Sequence, residues 1–348
     1  MLTYIIKRSA YSLLVLLGVE ILVFFLFQGL GDPARLVLGQ TGDSTTIKNI
    51  KKELDLDQPK WKQFIFYLND VSPLSIYTKE DITNKNLKGI FLGGKTKVGL
   101  KVPYLRRSYQ SKRDVLDVLT DALPGTMILA FSAMLIATVA GILLGVLAAV
   151  KQNTWWDTSA IFSSVIGISA PSFFMGIVIA YVFGFVLSRY TGLSMTGSLY
   201  NIDPFEGRQL QLQNLILPAI TLGIRPLAII TQLTRSAMLD VLYQDYIRTA
   251  YAKGLSKSVV IFRHALRNAL NPVITAITGW FAELLAGAFF VEYIFGWKGI
   301  GKITVDALEK LDFPVVMGSV LITATFFILI NMLADILYGI ADPRVRNK

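Results

Sequence analysis

Three ionisable residues, Glu20, Arg225 and Glu283, sit inside runs that are otherwise almost free of charge. A carboxylate or guanidinium held in hydrocarbon is costly unless it is paired or faces an aqueous cavity. Two readings follow. Either Arg225 forms a structural pair with one of the two glutamates, or the group lines a path through the membrane and contacts the charged ends of a ligand. Other chemistry is thinly supplied. The chain has no cysteine, which excludes disulfides, thiol catalysis and thiolate metal sites. Its single histidine, His264, excludes any site needing two imidazoles. Neither a catalytic constellation nor a metal site is expected.

A second stretch invites contact with a partner: DYIRTAYAKGLSKSVVIFRHALRNALNP, from Asp245 to Pro272. It is polar and basic, lies between long apolar segments, and contains two helical patterns split by a glycine. Asp245 suits the cap of a helix running to about Lys253, because a carboxylate accepts from free amides at the positive end of the dipole. Gly254 stands where a left-handed C-terminal cap is wanted. Ser256 restarts a second helix with Val259, Phe262 and Leu266 on one face, and Asn271-Pro272 opens the next apolar run. Physics alone leaves two uses open, a grip for a soluble partner or a loop resting on anionic headgroups.

The elements that must hold these residues are membrane helices. With 53% hydrophobic residues among 348 and a mean hydropathy of +0.53, the chain is too apolar for one soluble core. The expected fold is all-α and integral to the membrane, with six transmembrane helices and a sizeable extracytoplasmic segment after the first. Runs of about 20 residues, enough to cross the hydrocarbon, are Ser9 to Leu30, Pro124 to Val150, Ser159 to Leu187 with a kink at Pro171, Leu215 to Thr234, Asn271 to Val291, and Phe313 to Ala334. The division is therefore a first helix over 1–30, an extracytoplasmic segment over 31–123, a five-helix core over 124–340 containing the polar loop 235–270, and a tail over 341–348. The basic residues before the first run read as the flank of an uncleaved membrane helix. Lys7, Arg8, Lys151, the run from Arg235 to Arg267, and Arg344, Arg346 and Lys348 fall on one set of alternate segments, so both termini are expected in the cytoplasm. Trp155 and Trp156 suit the interface after Lys151. The net charge of +10 does not point to nucleic acid, since the basic residues are spread between apolar runs. In the outer segment, Ile47, Ile50, Leu54, Trp61, Phe64, Ile65 and Leu68 keep helical spacing over Ser44 to Asn69, whereas Asp70 to Gln110 reads as strand and loop.

DYIRTAYAKGLSKSVVIFRHALRNALNPV resembles the cytoplasmic loop of ATP-binding-cassette importer permeases of the dipeptide, oligopeptide and nickel family, in particular the first-permease, B-type subunit. The family form Tyr-Ile-Arg-Thr-Ala-x-Ala-Lys-Gly-Leu matches from Tyr246 to Leu255. In the shorter Glu-Ala-Ala pattern, which falls on Arg248, Thr249, Ala250 and Gly254, only Ala250 and Gly254 match strictly. GDPARLVLGQ with Asp32 and Pro33, ELDLDQPKWKQFIFYL, ALPGTMILA, ISAPSFFMG, LTRSAMLDVL, VEYIFGWKGIGKITVDALEKLDFPVV and DILYGIADPRVR follow in the family's order, so the resemblance covers nearly the whole chain. The stretch from Ser72 to Arg106 is longer than usual, and Glu20, Arg225 and Glu283 stand where small or apolar residues are commoner.

The resemblance implies a permease subunit of an ATP-driven importer in the bacterial or archaeal cytoplasmic membrane. Peptides are the first expected cargo, with nickel, sugars or opines as alternatives. It further implies a second similar permease, two ATPase subunits that bind ATP and Mg, and an extracytoplasmic solute-binding protein. Asp245, Tyr246, Arg248, Thr249, Ala250, Lys253, Gly254 and Leu255 would form the element that couples to the ATPases. The chain has no Walker A pattern of its own, so ATP hydrolysis is assigned to the partners. An ion-coupled secondary transporter using the buried carboxylates is the rival of another class.

Overall fold

The computed structural model describes residues 2–28, 56–203, 205 and 207–341. The sequence expectations placed on Gly29 and Leu30, on GDPARLVLGQ, on Ile47, Ile50 and Leu54, and on Arg344, Arg346 and Lys348 lie outside those residues. The chain divides into two compact units, one of Met1–Asp121 with Ile303–Ile322 and one of Ala122–Lys302 with Thr323–Lys348.

The first unit begins with α1 (Leu2–Gln28), followed by α2 (Lys60–Val71), β1 (Leu74–Thr78), α3 (Lys79–Asn84), β2 (Gly89–Gly93) and β3 (Thr96–Lys101). The strands form an antiparallel sheet in the order β1-β3-β2. Alternation places Leu74, Leu100 and Ile90 in one cross-strand row and Ile76, Val98 and Leu92 in the next. All six are more than half exposed, while Ser75, Tyr77 and Lys101 turn inward. Asp70 anchors that inner side. Its buried carboxylate accepts from Tyr77 Oη at 2.8 Å and pairs with Lys85 at 2.8 Å and Arg106 at 3.1 Å, and Lys101 Nζ donates to its backbone carbonyl. Phe24 and Phe25 of α1 meet the Phe64 ring of α2 at 5.1 and 5.9 Å.

The second unit contains most of α4 (Val115–Val150), then α5 (Trp155–Ser169), α6 (Ser172–Tyr181), a hairpin of β4 (Tyr200–Asp203) and β5 (Gly207–Leu210), α7 (Gln213–Leu242), α8 (Asp245–Ala252), α9 (Lys257–Val259), α10 (Leu266–Gly287) and α11 (Phe289–Phe295). α12 (Ile300–Glu309) and α13 (Phe313–Ala341) begin at the end of this unit and in the first unit respectively. The core packs Leu129, Ala130, Ala133 and Ala137 of α4 against Leu217, Leu222 and Ile230 of α7 and Val273 of α10. Small residues on α4 let the helices approach closely.

Among the described residues four helices, Arg8–Leu26, Val115–Val150, Gln213–Leu242 and Phe313–Leu333, are long and apolar enough to cross a membrane. Two bent pairs bring the number to six if each pair is one span. The expected kink at Pro171 is in fact a break, across which the helix direction bends by 111°. Proline disfavours a helical conformation in the residue before it, and Ala170 accordingly sits at ψ 131°. Asn271-Pro272 does not open the helix that carries the expected fifth span. The helix begins upstream, running from α9 through a π-type turn over Val260–Ala265 into α10, with Pro272 inside it. Pro272 removes one helical bond, that to the carbonyl of Asn268. A second bend of 58° separates α10 from α11.

Candidate functional site

α8 has eight residues, fewer than the roughly 12 to 15 an isolated helix needs to hold its shape in water. Packing must supply the difference. Ile247 and Ala250 are its buried residues, and they join Val146 and Ala149 of α4, Met238 of α7, and Val260, Ile261, Ala265 and Ala269 of the following helix in one apolar cluster. The remaining side chains, Asp245, Tyr246, Arg248, Thr249, Tyr251 and Ala252, are exposed, as is the stretch through Lys253, Gly254 and Leu255 to Val259.

Several expectations change in detail. Gln244, at ψ 147°, occupies the cap position, so Asp245 is the first helical residue. There it still complements the dipole, and it stands 3.8 Å from Arg248. Gly254 does adopt the left-handed conformation, φ +76°, with open space around it. In the second helix Val259 and Phe262 are exposed, and the buried face is Val260, Ile261 and Ala265. The π-type turn moves the register away from a regular 3.6-residue period. Asn268 Nδ2 donates to Tyr246 Oη at 2.8 Å, tying α8 to α10. His264 lies in the π-type turn, half-buried.

An ion pair ties α7 to α5. Asp157 accepts from Arg235 Nε at 2.5 Å and Nη2 at 2.9 Å, and from the Asn153 amide at 2.9 Å. The fork geometry matches a guanidinium to a carboxylate and fixes both side chains. Lys151 Nζ lies 5.0 Å from the Trp156 ring, which is half exposed.

The three charges singled out in the spans separate. Arg225 and Glu283 line one open cleft with Gly167, Ala170, Ser172 and Trp280. The Arg225 guanidinium stands over the Trp280 ring at 5.5 Å. Among the described residues the two form no ion pair with each other, and both are exposed. Glu20 belongs to the first unit, where it is buried and hydrogen-bonded to Tyr67 of α2. The structural pairing of Arg225 with a glutamate is therefore not formed among the described residues.

The family models give the decisive match. The binding-protein-dependent transport system inner membrane component covers residues 141–347, and the corresponding N-terminal membrane component covers 1–130. The chain belongs to the binding-protein-dependent transport system inner membrane component family. It is 36% identical over 367 residues to the dipeptide transport system permease protein DppB of Escherichia coli K12, with 100% of each chain covered. It is 33% identical over 362 residues to the DppB of Alkalihalophilus pseudofirmus, covering 99% of this chain and 100% of the relative. The glutathione transport system permease protein GsiC of Escherichia coli K12 is 35% identical over 349 residues, again with 100% of both chains covered. Among solved structures, a chain of the inward-facing MetNI methionine ABC transporter matches with a TM-score of 0.50 and 16% identity, over 65% of this chain and 97% of its own, a likeness of fold.

One packed feature of this inner-membrane component lies outside the sequence expectations. Glu292 of α11 is fully buried, and its Oε2 accepts from the Lys302 amide at 3.1 Å. Gly299 and Gly301 make room for it, since a Cβ on either would collide with the carboxylate. Trp297, also fully buried, donates from Nε1 to the Gly125 carbonyl at 2.9 Å, and the Ile300 amide donates to Thr126 Oγ1 at 2.8 Å. The WKGIG sequence thus folds as a carboxylate cradle pinned to α4. A carboxylate followed by closely spaced glycines was the available signal.

Proposed function

We propose that the chain is one of the two permease subunits of an ATP-driven importer for short peptides, and that α8 is the element its ATPase partners grip. The observation that carries this reading is the division of α8 into two faces. Ile247 and Ala250 tie it to the ends of α4, α7 and α10, and the exposed face presents Tyr246, Arg248, Thr249 and Tyr251, followed by Lys253, Gly254 and Leu255. A short helix fastened to three long ones transmits displacement as a lever does. ATP-driven closure of the partners moves α8, α8 moves the helix ends, and the path changes the side to which it opens. In this reading Ala250 is a fastening residue, and contact with the ATPase falls to its exposed neighbours. ATP and Mg belong to the partners, a second permease completes the path, and an extracytoplasmic binding protein delivers the cargo. Both termini, Lys151 and α8 lie in the cytoplasm, in keeping with the basic residues of the short loops.

Peptide cargo is supported by full-length relatives named for dipeptide and glutathione transport. The test is uptake of a radiolabelled dipeptide by the reassembled importer in proteoliposomes. Uptake that requires ATP and persists after the proton gradient is collapsed supports the reading. Uptake that follows the proton gradient without ATP makes the chain a secondary transporter.

A further inference from the structure

Arg225 and Glu283 bring opposite charges into one cleft of the second unit without neutralising each other. Arg225 lies near the middle of α7, followed by Pro226, and Glu283 lies on α10, both helices that read as membrane-spanning. Such groups do not face lipid, so the cleft opens onto water or protein. The broken helix supports the same conclusion. Ala170 and Ser172, on either side of the break at Pro171, line this cleft, and Pro171 and Ser172 are exposed. Non-helical backbone at membrane depth is tolerated where it lines an aqueous cavity or is covered by protein. Trp280 holds the guanidinium by its face, which leaves the in-plane N–H donors free for an acceptor. No protein carboxylate takes them among the described residues.

We infer that this cleft is a station on the transport path that holds a zwitterion, with Arg225 taking the substrate carboxylate and Glu283 its ammonium group. The inference rests on the peptide-importer reading above and gives that reading a site. Arginine suits the first role because its fork matches a carboxylate in two parallel hydrogen bonds. An extended di- or tripeptide reaches at most about 7 to 11 Å between its ends, a ligand short enough to be seated within a cleft that both residues line. Longer peptides would engage one end at a time.

The experiment compares uptake of a free dipeptide, its C-terminal amide and its N-acetyl form by the complete importer in proteoliposomes. The complexes carry wild-type chain, Arg225→Gln, Glu283→Gln, the conservative Arg225→Lys and Glu283→Asp, or the double Arg225→Gln/Glu283→Gln. The binding protein's own preference is common to all complexes and divides out of the ratios. Arg225→Gln is expected to lower the preference for the free peptide over its amide about tenfold while leaving the acetyl ratio unchanged, the loss of one charge-assisted contact. Glu283→Gln is expected to do the reverse, the conservative variants to keep most of each preference, and the double variant to lose both. Ratios that stay at wild-type values in both single variants overturn the inference. So does a double variant that transports like wild type, which marks a mutual ion pair, or loss of the second permease on co-purification of the single variants, which marks a subunit contact. Absence of ATP-dependent uptake by the wild-type complex fails the importer reading itself and removes the inference with it.

Discussion

Replacing Ile247 by alanine should disconnect α8 from the membrane helices. Ile247 is 1% exposed and belongs to the cluster formed with Val146, Met238, Val260 and Ala265. Truncating a buried isoleucine to alanine costs about 2 to 5 kcal/mol. Ala250 and the Tyr246–Asn268 hydrogen bond then remain to hold an eight-residue helix that is too short to persist alone. A loss of about 3 kcal/mol shifts the balance between fastened and loosened α8 by roughly a hundredfold. Uptake by the reassembled importer should then fall by at least about tenfold, while ATP hydrolysis by the partners continues and no longer tracks cargo. Ile247→Val, which costs about 0.5 to 1.5 kcal/mol, should keep most of the uptake. The assay measures ATP hydrolysed per dipeptide taken up in proteoliposomes, with co-purification of the ATPases as the check on assembly. An Ile247→Ala complex that assembles and imports with the wild-type ratio would refute the lever.

The remaining predictions concern stability. Arg235→Ala leaves the Asp157 carboxylate, 5% exposed, without its guanidinium but with the Asn153 amide, a loss of about 1 to 3 kcal/mol. The thermal midpoint of the purified chain in detergent should fall, and Asp157→Ala/Arg235→Ala should recover part of the loss; a double variant less stable than Arg235→Ala would contradict this. In the first unit, burial pushes the Lys101 ammonium down to about 8 from an ordinary 10.5, with Asp70 opposing the shift and Lys85 adding to it. Between those values the unfolded chain holds a proton that the folded unit has released, so Lys101 contributes stability that increases as pH rises through that window. Unfolding midpoints measured from about pH 8 to about pH 10 should climb less in Lys101→Met than in wild type, and equal slopes would reject the assignment.

Much of this organisation was legible in the sequence, for reasons particular residues make plain. The spans were visible because uncharged runs such as that from Pro124 to Val150 admit few other folds in a chain so apolar. Gly254 announced a helix end because a left-handed residue there favours glycine. What stayed hidden depends on tertiary partners. The cap of α8 was placed one position late, on Asp245, because Gln244 provides the extended backbone of the cap without a side-chain cap bond. The face of the second helix was misjudged because the π-type turn over Val260–Ala265 breaks the period on which the reading relied. Leu74, Ile76, Ile90 and Leu92 alternate as strand residues should, yet they point outward, since the inner face is built around Asp70 and its cations. That Glu20 packs with Tyr67 of α2 within the first unit, while Arg225 and Glu283 share a cleft of the second, could not be read from depth along each span.

The central claim, that the exposed face of α8 is held by an ATPase partner, can be tested by cross-linking. The chain has no cysteine of its own, so one introduced at Arg248, whose side chain is 76% exposed, is unique in this subunit. Paired with single cysteines on the ATPase groove in the assembled importer, Arg248→Cys should form a disulfide whose yield changes when ATP is bound. Tyr190→Cys, equally open but expected on the opposite side of the membrane, should form none. Cross-linking at Tyr190 and none at Arg248 would place the partner on the other side and contradict the account.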